Sequence, residues 1–154
     1  MENQYQEKFG YPIERTKGKV RPAMMPWIQD FIRNSPFCVM ATSDAQGNCD
    51  ASPKGGLPGF VKILNDRQLF ISDVAGNKLF HGYGNIESNC KIGLVFFIPG
   101  HNNTVRINGR VKVIDSHEIK NVKLEVNNPD DNAKVLQGLL LDVEESYTAT
   151  ARAH

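Results

Sequence analysis

The stretch Asp50–Val61, with the sequence DASPKGGLPGFV, determines how the rest of the chain can be read, together with the later tripeptide Gly76-Asn77-Lys78. The first stretch places a serine, a lysine and three glycines at the predicted end of a strand. The second places a lysine where a helix is predicted to begin. Because the first turn of a helix has unpaired N–H groups and the positive end of the dipole, it favours a bound phosphate. The two stretches therefore predict a site for an anionic ligand.

Length and composition indicate one ordinary globular domain. The chain has 154 residues, of which 40% are hydrophobic and 23% are charged, and its formal net charge is +1. Since this charge gives no strong attraction to polyanions, we expect no nucleic-acid partner and no membrane partner. The cysteines, Cys38, Cys49 and Cys90, are odd in number and scattered. They favour reduced thiols in a cytoplasmic protein over a disulfide framework.

Short apolar segments separated by polar turns predict a mainly β (α+β) fold, at the spacing of a sandwich or barrel. The last strand is the clearest, because apolar residues such as Val105 and Ile107 alternate with polar residues such as Arg106 and Asn108. The predicted strands are Phe37–Thr42, Cys49–Pro53, Phe60–Leu64, Gln68–Ser72, Lys91–Ile98 and Thr104–Ile114.

Helical patterns precede and interrupt these strands. Pro26 suits the first turn of a helix that ends by Asn34, and its apolar face would include Trp27, which we therefore expect in the core. Further helices are predicted at Lys78–Ser88, Ser116–Glu125 and Asp130–Leu141. Residues 1–22 contain several glycines and prolines and predict an irregular arm, which leaves residues 23–154 as the domain.

Several classes of site lack their expected residues. His81, His101, His117 and His154 are dispersed and show no metal-ligand spacing, so we expect no metal site. No nucleophile elbow, Walker loop or dinucleotide-binding glycine pattern is present. The basic face of Thr104–Lys112 has no aromatic residue for base stacking, which argues against a single-strand-binding module.

The order of these parts resembles the flavin-binding split barrel of the pyridoxamine 5′-phosphate oxidase-like family. The resemblance covers residues 24–114 and is carried by SPKGGLPGFV at residues 52–61 and TVRINGRV at residues 104–111. It implies a six-stranded antiparallel split β-barrel of Greek-key type with flanking helices. It also implies a homodimer that holds FMN at the subunit interface.

The resemblance further implies which residues contact the cofactor. Lys54 ends the strand beside the flavin, Ser72 lies at the end of the next hairpin, and Asn77 with Lys78 forms the phosphate clamp. The full predicted set is Ser52, Pro53, Lys54, Ser72, Asn77, Lys78, Thr104 and Arg106.

Two departures from the oxidase weaken the predicted grip on phosphate. Asn77 and Cys49 stand where the oxidase has arginines, and a charge-assisted contact is about twice as strong as a neutral one. Lys54, Lys62 or Arg106 would have to compensate. The chain also lacks the tryptophan and arginine with which the oxidase closes over pyridoxal phosphate, so we do not expect a true pyridoxamine 5′-phosphate oxidase.

These features lead to two functional hypotheses. The first is an FMN-dependent oxidoreductase that acts on a small organic substrate or reductant, with the chemistry supplied by the flavin. The alternative is a non-catalytic protein that binds or stores flavin or haem on the same barrel, with His81 or His101 as the haem ligand. A deazaflavin in place of FMN, and the identity of the substrate, stay open at this stage.

Overall fold

A computed structural model describes residues 3–11, 18–74, 81–115, 117–118 and 135–150. Its centre is an antiparallel sheet of seven strands in the order β2-β1-β5-β6-β7-β4-β3. The strands are β1 (Phe37–Ser43), β2 (Cys49–Gly55), β3 (Val61–Asn65), β4 (Gln68–Val74), β5 (Lys91–Phe97), β6 (Asn103–Asp115) and β7 (Val135–Thr150). The helices are α1 (Gln4–Phe9), α2 (Pro26–Asn34) and α3 (His81–Ser88). The mainly β class and all six strands predicted from the sequence are confirmed.

The sheet has seven strands, so the predicted count of six was wrong. The additional strand is β7, which pairs with β6 on one side and β4 on the other. The sheet is not closed, because β2 and β3 form its two edges. It is therefore a split-barrel-like sheet.

Part of β7 was predicted to be helical, and that prediction was wrong for residues 135–141. Leu139, Leu141 and Val143 are buried on one face of the strand, with alternate residues facing away. A strand forms here despite the high helical propensity of leucine, because pairing with β6 along most of β7 satisfies the backbone hydrogen-bonding groups. Most of the predicted helix Ser116–Glu125 and residues 130–134 lie outside the described residues.

Helix α2 forms where it was predicted, but Trp27 is on its solvent side. Pro26 is at the first helical position. Ile28 and Ile32 are spaced by one turn and are 1% and 0% exposed, so they define the buried stripe. Trp27 precedes that stripe by about 100° of rotation and is 50% exposed. The expectation of a core tryptophan was wrong for this reason.

The N-terminal arm is partly regular. Asn3 caps α1, its side chain accepting from the backbone of Gln6 while the Gln6 side chain accepts from the backbone of Asn3. Further along, Arg21 and Ser146 exchange backbone hydrogen bonds that tie the arm to β7. No helix in the described part of the chain is long and apolar enough to cross a membrane.

One continuous core lies on one face of the sheet. Every strand except β2 contributes buried side chains to it. Ile28 and Ile32 of α2, Ile86 of α3, and Met24, which precedes α2, complete it. A smaller cluster on the opposite face joins Phe70 and Ile114, with Leu64 and Leu140 packed against them. Because nearly all strands bury side chains on this one face, the sheet must curl around the core.

The opposite face of β2, β1, β5, β6 and β7 is here called the outer face. Its residues form rows that follow from the strand register. One row is Gly55, Phe37, Phe97, Thr104 and Ala149, and the next is Pro53, Val39, Val95, Arg106 and Tyr147. A third row is Ala51, Ala41, Gly93, Asn108 and Glu145.

Candidate functional site

The SPKGG stretch forms the end of edge strand β2, with its side chains on alternate faces. Ser52 and Lys54 pair with Met40 and Cys38 of β1 and lie on the core side of the sheet, where both are half-buried. Pro53 faces the other way and is exposed. A proline is tolerated here because an edge strand needs no amide hydrogen on its free side.

Lys54 lies directly across from a buried thiol. Cys38 is 0% exposed, and this burial raises the pKa of its thiol to about 12, while the positive charge of Lys54 acts in the opposite direction. Lys54 forms no ion pair with a carboxylate in the described part of the chain. Its ammonium group therefore has donors to offer to an anionic ligand.

Two of the glycines after Lys54, Gly55 and Gly59, are explained by the chain itself. A Cβ at Gly55 would approach Phe37 Cβ to 3.2 Å and the Pro36 oxygen to 3.3 Å. Gly59 has a φ of 87°, which glycine adopts without strain. The backbone that lies closest here is the turn between α2 and β1, whose Pro36 carbonyl accepts from Gly56 N–H at 3.0 Å.

Thr104 and Arg106 are two residues apart on β6 and lie on the outer face. The Thr104 hydroxyl donates to the Ala149 carbonyl at 3.0 Å, so its remaining capacity is as an acceptor. The Arg106 guanidinium is exposed and lies 5.8 Å from the centre of the Tyr147 ring. This cation–π contact positions the guanidinium without neutralising it.

The remaining predicted residues follow β4. Ser72 is half-buried on the face that carries Phe70, and its hydroxyl has no hydrogen-bond partner in the described residues. Asn77 and Lys78, the predicted phosphate clamp, lie outside the described residues. Helix α3 is described from His81 onward, which is consistent with a helix in the predicted region.

The structure does not bring all predicted residues to one place within a single chain. Lys54 and Arg106 lie on opposite faces of the sheet. Their strands, β2 and β6, are also three strand spacings apart, about 14 Å at roughly 4.8 Å per strand. Among the described residues, no hydrogen bond or ion pair joins Ser72 to either of them.

A further concavity lies elsewhere on the sheet and was not predicted from the sequence. It is a trough of about 410 Å³ on the outer face, and none of the eight predicted residues lines it. Its floor and walls include Ala41, Cys49, Lys91, Gly93, Asn108 and Glu145. The signal that could have found it is the pair of glycines within strands, Gly93 and Gly109, since interior strand glycines mark close approaches and bulges.

A charge cluster forms the side of this trough. The Lys91 ammonium contacts both Glu144 carboxylate oxygens, at 2.6 and 3.0 Å, and Arg110 Nε lies 3.4 Å from one of them. The Lys91 hydrogen bond is the main cause that holds the pKa of Glu144 below its ordinary value, followed by the charges of Lys91 and Arg110. Glu144 is therefore ionised and locally neutralised at neutral pH.

The residue types that ligate a metal or haem are scattered in the described part of the chain. No group of three or more His, Cys, Asp or Glu side chains is placed to hold a metal ion there. His101 is exposed at the turn before β6, and nothing is described of the His81 side chain. Cys38, Cys49 and Cys90 are all free thiols.

Comparisons with solved structures identify the fold. A candidate pyridoxamine 5′-phosphate oxidase from Lactobacillus delbrueckii is 24% identical, with a TM-score of 0.60 over 82% of this chain and 95% of that one. A pyridoxamine 5′-phosphate oxidase-related, FMN-binding protein from Nostoc punctiforme is 14% identical, with a TM-score of 0.56 over 85% and 88%. HupZ from Group A Streptococcus is 18% identical, with a TM-score of 0.61 over 85% and 98%.

Sequence comparisons identify the family. No curated protein sequence matched the chain. The family model described as pyridoxamine 5′-phosphate oxidase matches residues 24–129, which is more than half of the chain. This span contains β1 to β6 with the SPKGG strand end and the helix that follows β4. The chain therefore belongs to the pyridoxamine 5′-phosphate oxidase family.

Proposed function

We propose that the protein is a homodimeric, FMN-dependent oxidoreductase that acts on a small organic molecule. Family membership supports a flavin, and a relative of the same fold is described as FMN-binding. The observation that carries the proposal is the half-buried Lys54, at the strand end where the family resemblance puts a cofactor contact, with no carboxylate partner in the described residues.

The donor set fits an anionic, polyhydroxylated cofactor. Ser52, Ser72, Lys54 and Arg106 each have hydrogen-bonding capacity that no described residue uses. The cations Lys54 and Arg106 suit a phosphate or an electron-rich ring edge. The hydroxyls of Ser52 and Ser72 suit a ribityl chain. Bound FMN would supply the two-electron chemistry of its ring. The protein would supply position and positive potential, chiefly through Lys54.

A two-subunit site would resolve the separation of these residues. Lys54 lies on the core side of β2, whereas Arg106 lies on the outer face of β6, so one ligand meets both only if they come from different chains. The outer face also suits a partner. Phe37 and Phe97 stack there with ring centres 5.3 Å apart, and Arg106 is the one charged residue in its first two rows. Exposed aromatic residues with few charges are typical of interface cores.

Cytoplasmic location and the absence of nucleic-acid and membrane partners complete the proposal. Three free thiols suit a reducing compartment. The near-neutral net charge of +1 offers no general attraction to polyanions.

A visible absorption spectrum of gently purified protein tests the cofactor, with mass spectrometry of the molecule that heating releases. We expect a flavin spectrum and FMN. Lys54→Ala and Lys78→Ala should each weaken FMN binding by about tenfold, because each removes a charge-assisted contact. Lys112→Ala is the matched control, since Lys112 is exposed and makes only a 3.8 Å ion pair with Glu118.

The outcomes separate cofactor, site and turnover. A colourless protein that also fails to bind added FMN contradicts the flavin proposal. Unchanged FMN binding in both lysine variants contradicts the site assignment but not the cofactor. Steady-state reduction of bound flavin by NADH or NADPH is expected of an oxidoreductase, and its absence with any tested reductant would favour a storage protein.

A further inference from the structure

Helix α1 is short, and its aromatic side chains are uncovered. It has six residues, none of which is buried, although the Asn3 cap satisfies its first turn. Tyr5 and Phe9 lie one turn apart on the same side of the helix and are 62% and 77% exposed. A helix of this length is marginal in water, because few hydrogen bonds offset the cost of nucleation. A surface that covers Tyr5 and Phe9 is therefore needed to stabilise α1.

The arm that carries α1 joins the domain at the border of the outer face. β4 pairs with β7 as far as Asp142, and Arg21 pairs with Ser146 beyond that point. The residue before Ser146, Glu145, belongs to the outer face. The chain from Tyr11 to Arg21 can span at most about 33 Å, whereas the five strands of the outer face extend over about 19 Å. Helix α1 can therefore reach a partner subunit that packs against this face.

The trough on the outer face needs an occupant if the proposed dimer forms there, and the present inference rests on that dimer. Interface cores are packed as densely as protein interiors, so a concavity of about 410 Å³ between two subunits is filled by side chains. Its floor is low, because Ala41 and Gly93 are neighbours on β1 and β5. The Asn108 amide lies beside this floor, with Oδ1 at 3.1 Å from the position of a Cβ on Gly93. A flat side chain with one polar group matches this surface.

The charges around the trough balance. Lys91 and Arg110 both contact the Glu144 carboxylate, at 2.6 and 3.4 Å, and Glu145 supplies the second negative charge. Two cations and two anions leave no net charge, so the trough favours a neutral occupant. Tyrosine suits it, since the ring is apolar and the hydroxyl can form a hydrogen bond at the polar edge.

We propose that α1 of each subunit docks in the outer-face trough of its partner, with the Tyr5 ring over Ala41 and Gly93. The Tyr5 hydroxyl would form a hydrogen bond with Asn108, and Phe9 would extend the apolar contact by one helical turn. The occupant comes from the partner, because the exposure of Tyr5 and Phe9 shows that α1 does not fill the trough of its own chain.

Disulfide trapping tests both the location of α1 and the subunit that receives it. Cys49 lines the trough and is exposed, so a cysteine in place of Tyr5 should lie near it. Full-length Tyr5→Cys, in a Cys90→Ala background, is oxidised with diamide and separated by electrophoresis without reductant. We expect a covalent dimer in which mass spectrometry finds positions 5 and 49 joined. Adding Cys49→Ala should abolish this dimer, and Trp27→Cys in place of Tyr5→Cys should not form it, because α2 packs on the core side of the sheet.

The stability of the dimer is a second measurement. Tyr5→Ser combined with Phe9→Ser should raise the dissociation constant of the dimer at least tenfold in sedimentation velocity, because buried aromatic residues are typical binding hot spots. Neither side chain is buried within its own subunit, so circular dichroism should show an unchanged fold. Trp27→Ser replaces another exposed aromatic residue and should leave the dissociation constant unchanged.

The outcomes separate the docking of α1 from the proposed function. A link between positions 5 and 49 within one chain, no link at all, or an unchanged dissociation constant in the double variant would each overturn the docking proposal. In those cases a wild-type dimer that binds FMN would leave the proposed function intact. A monomeric wild type would instead remove the proposed dimer and, with it, the docking of α1.

Discussion

At the level of single residues, two glycines show how closely this sheet is packed. Gly138 on β7 lies under the Phe70 ring of β4, and a Cβ there would collide with two ring atoms and approach the Ile71 oxygen to 3.2 Å. At Gly84 in α3, a Cβ would meet no atom within 4 Å among the described residues beyond the helix's own backbone. The same substitution should therefore have opposite effects at the two sites.

We predict that Gly138→Ala lowers the free energy of unfolding by about 1–3 kcal/mol, the usual cost of overpacking a core. Gly84→Ala, by contrast, should raise it by about 0.5–1 kcal/mol, because alanine is the better helix former. Urea unfolding followed by circular dichroism measures both. A Gly138→Ala protein as stable as the wild type would mean that Phe70 can move aside.

The buried thiol of Cys38 gives a second prediction, on pH. Its pKa is raised from 9.0 to about 12 in the folded protein, chiefly by burial. The unfolded chain therefore loses this proton first as the pH rises above 9, and ionisation then favours the unfolded state. The free energy of unfolding therefore falls between about pH 9 and 12, by up to about 1.4 kcal/mol per pH unit.

The measurement is urea unfolding at pH 8, 9 and 10 for the wild type and for Cys38→Ala. Cys38→Ala should have a lower free energy of unfolding at every pH, because the substitution leaves a small cavity. It should lack the steeper decline of this free energy that the wild type shows above pH 9. Cys49→Ala is the control, because Cys49 is exposed. Parallel pH profiles for the wild type and Cys38→Ala would refute the prediction.

At the level of elements, the strands with two-residue alternation could be placed from the sequence, and those masked by other signals could not. The alternation of the apolar residues Val105 and Ile107 with Arg106 predicted both ends of β6 to within one residue. The leucine run at residues 139–141 hid the alternation of β7, whose identity depends on pairing with β6 and β4. Local propensity cannot report such long-range pairing.

The candidate site shows the same division. The SPKGG motif placed Ser52, Pro53 and Lys54 correctly at a strand end, because turn residues mark such ends directly. The trough escaped prediction, since Ala41, Gly93 and Asn108 are distant in sequence and meet only through the register of three strands. A motif reports local backbone, whereas a cavity is a property of the assembled sheet.

Helix α3 is attached to the sheet by polar contacts, which gives a prediction for the whole element. Asn85 Nδ2 donates to Thr42 Oγ1 at 3.1 Å, and Asn89 Nδ2 donates to Ser43 Oγ at 3.0 Å. Of the described α3 side chains, Ile86 alone enters the core. We expect Asn85→Ala and Thr42→Val to be coupled in a double-mutant cycle by about 1 kcal/mol, the worth of one part-buried hydrogen bond.

The cycle is read from urea unfolding of the two single variants and the double variant. Asn65→Ala combined with Thr42→Val serves as the control pair, because Asn65 is exposed and contacts Gln68, not β1. Its coupling should be near zero. Additive effects of Asn85→Ala and Thr42→Val would show that the Asn85–Thr42 contact does not stabilise α3 on the sheet.

At the level of the whole molecule, the unequal use of the two sheet faces argues for association. One face is covered by a single core that includes residues of α2 and α3. The outer face of β1 and β5 carries Phe37, Val39, Val95 and Phe97, which are exposed or half-buried. Water contact with such a continuous apolar surface is unfavourable, so burial against a second copy would stabilise the protein.

We predict that Val39→Glu converts the proposed dimer into a monomer, because it places an unpaired charge at the centre of this surface. Light scattering coupled to size-exclusion chromatography measures the mass. The same variant should bind FMN at least tenfold more weakly, since half of each proposed site comes from the partner. Gln46→Glu adds the same charge in the exposed β1–β2 turn and should leave both mass and FMN binding unchanged. If the wild type were monomeric and still bound FMN, the two-subunit site would be excluded, and Arg106 could not act on the same cofactor as Lys54.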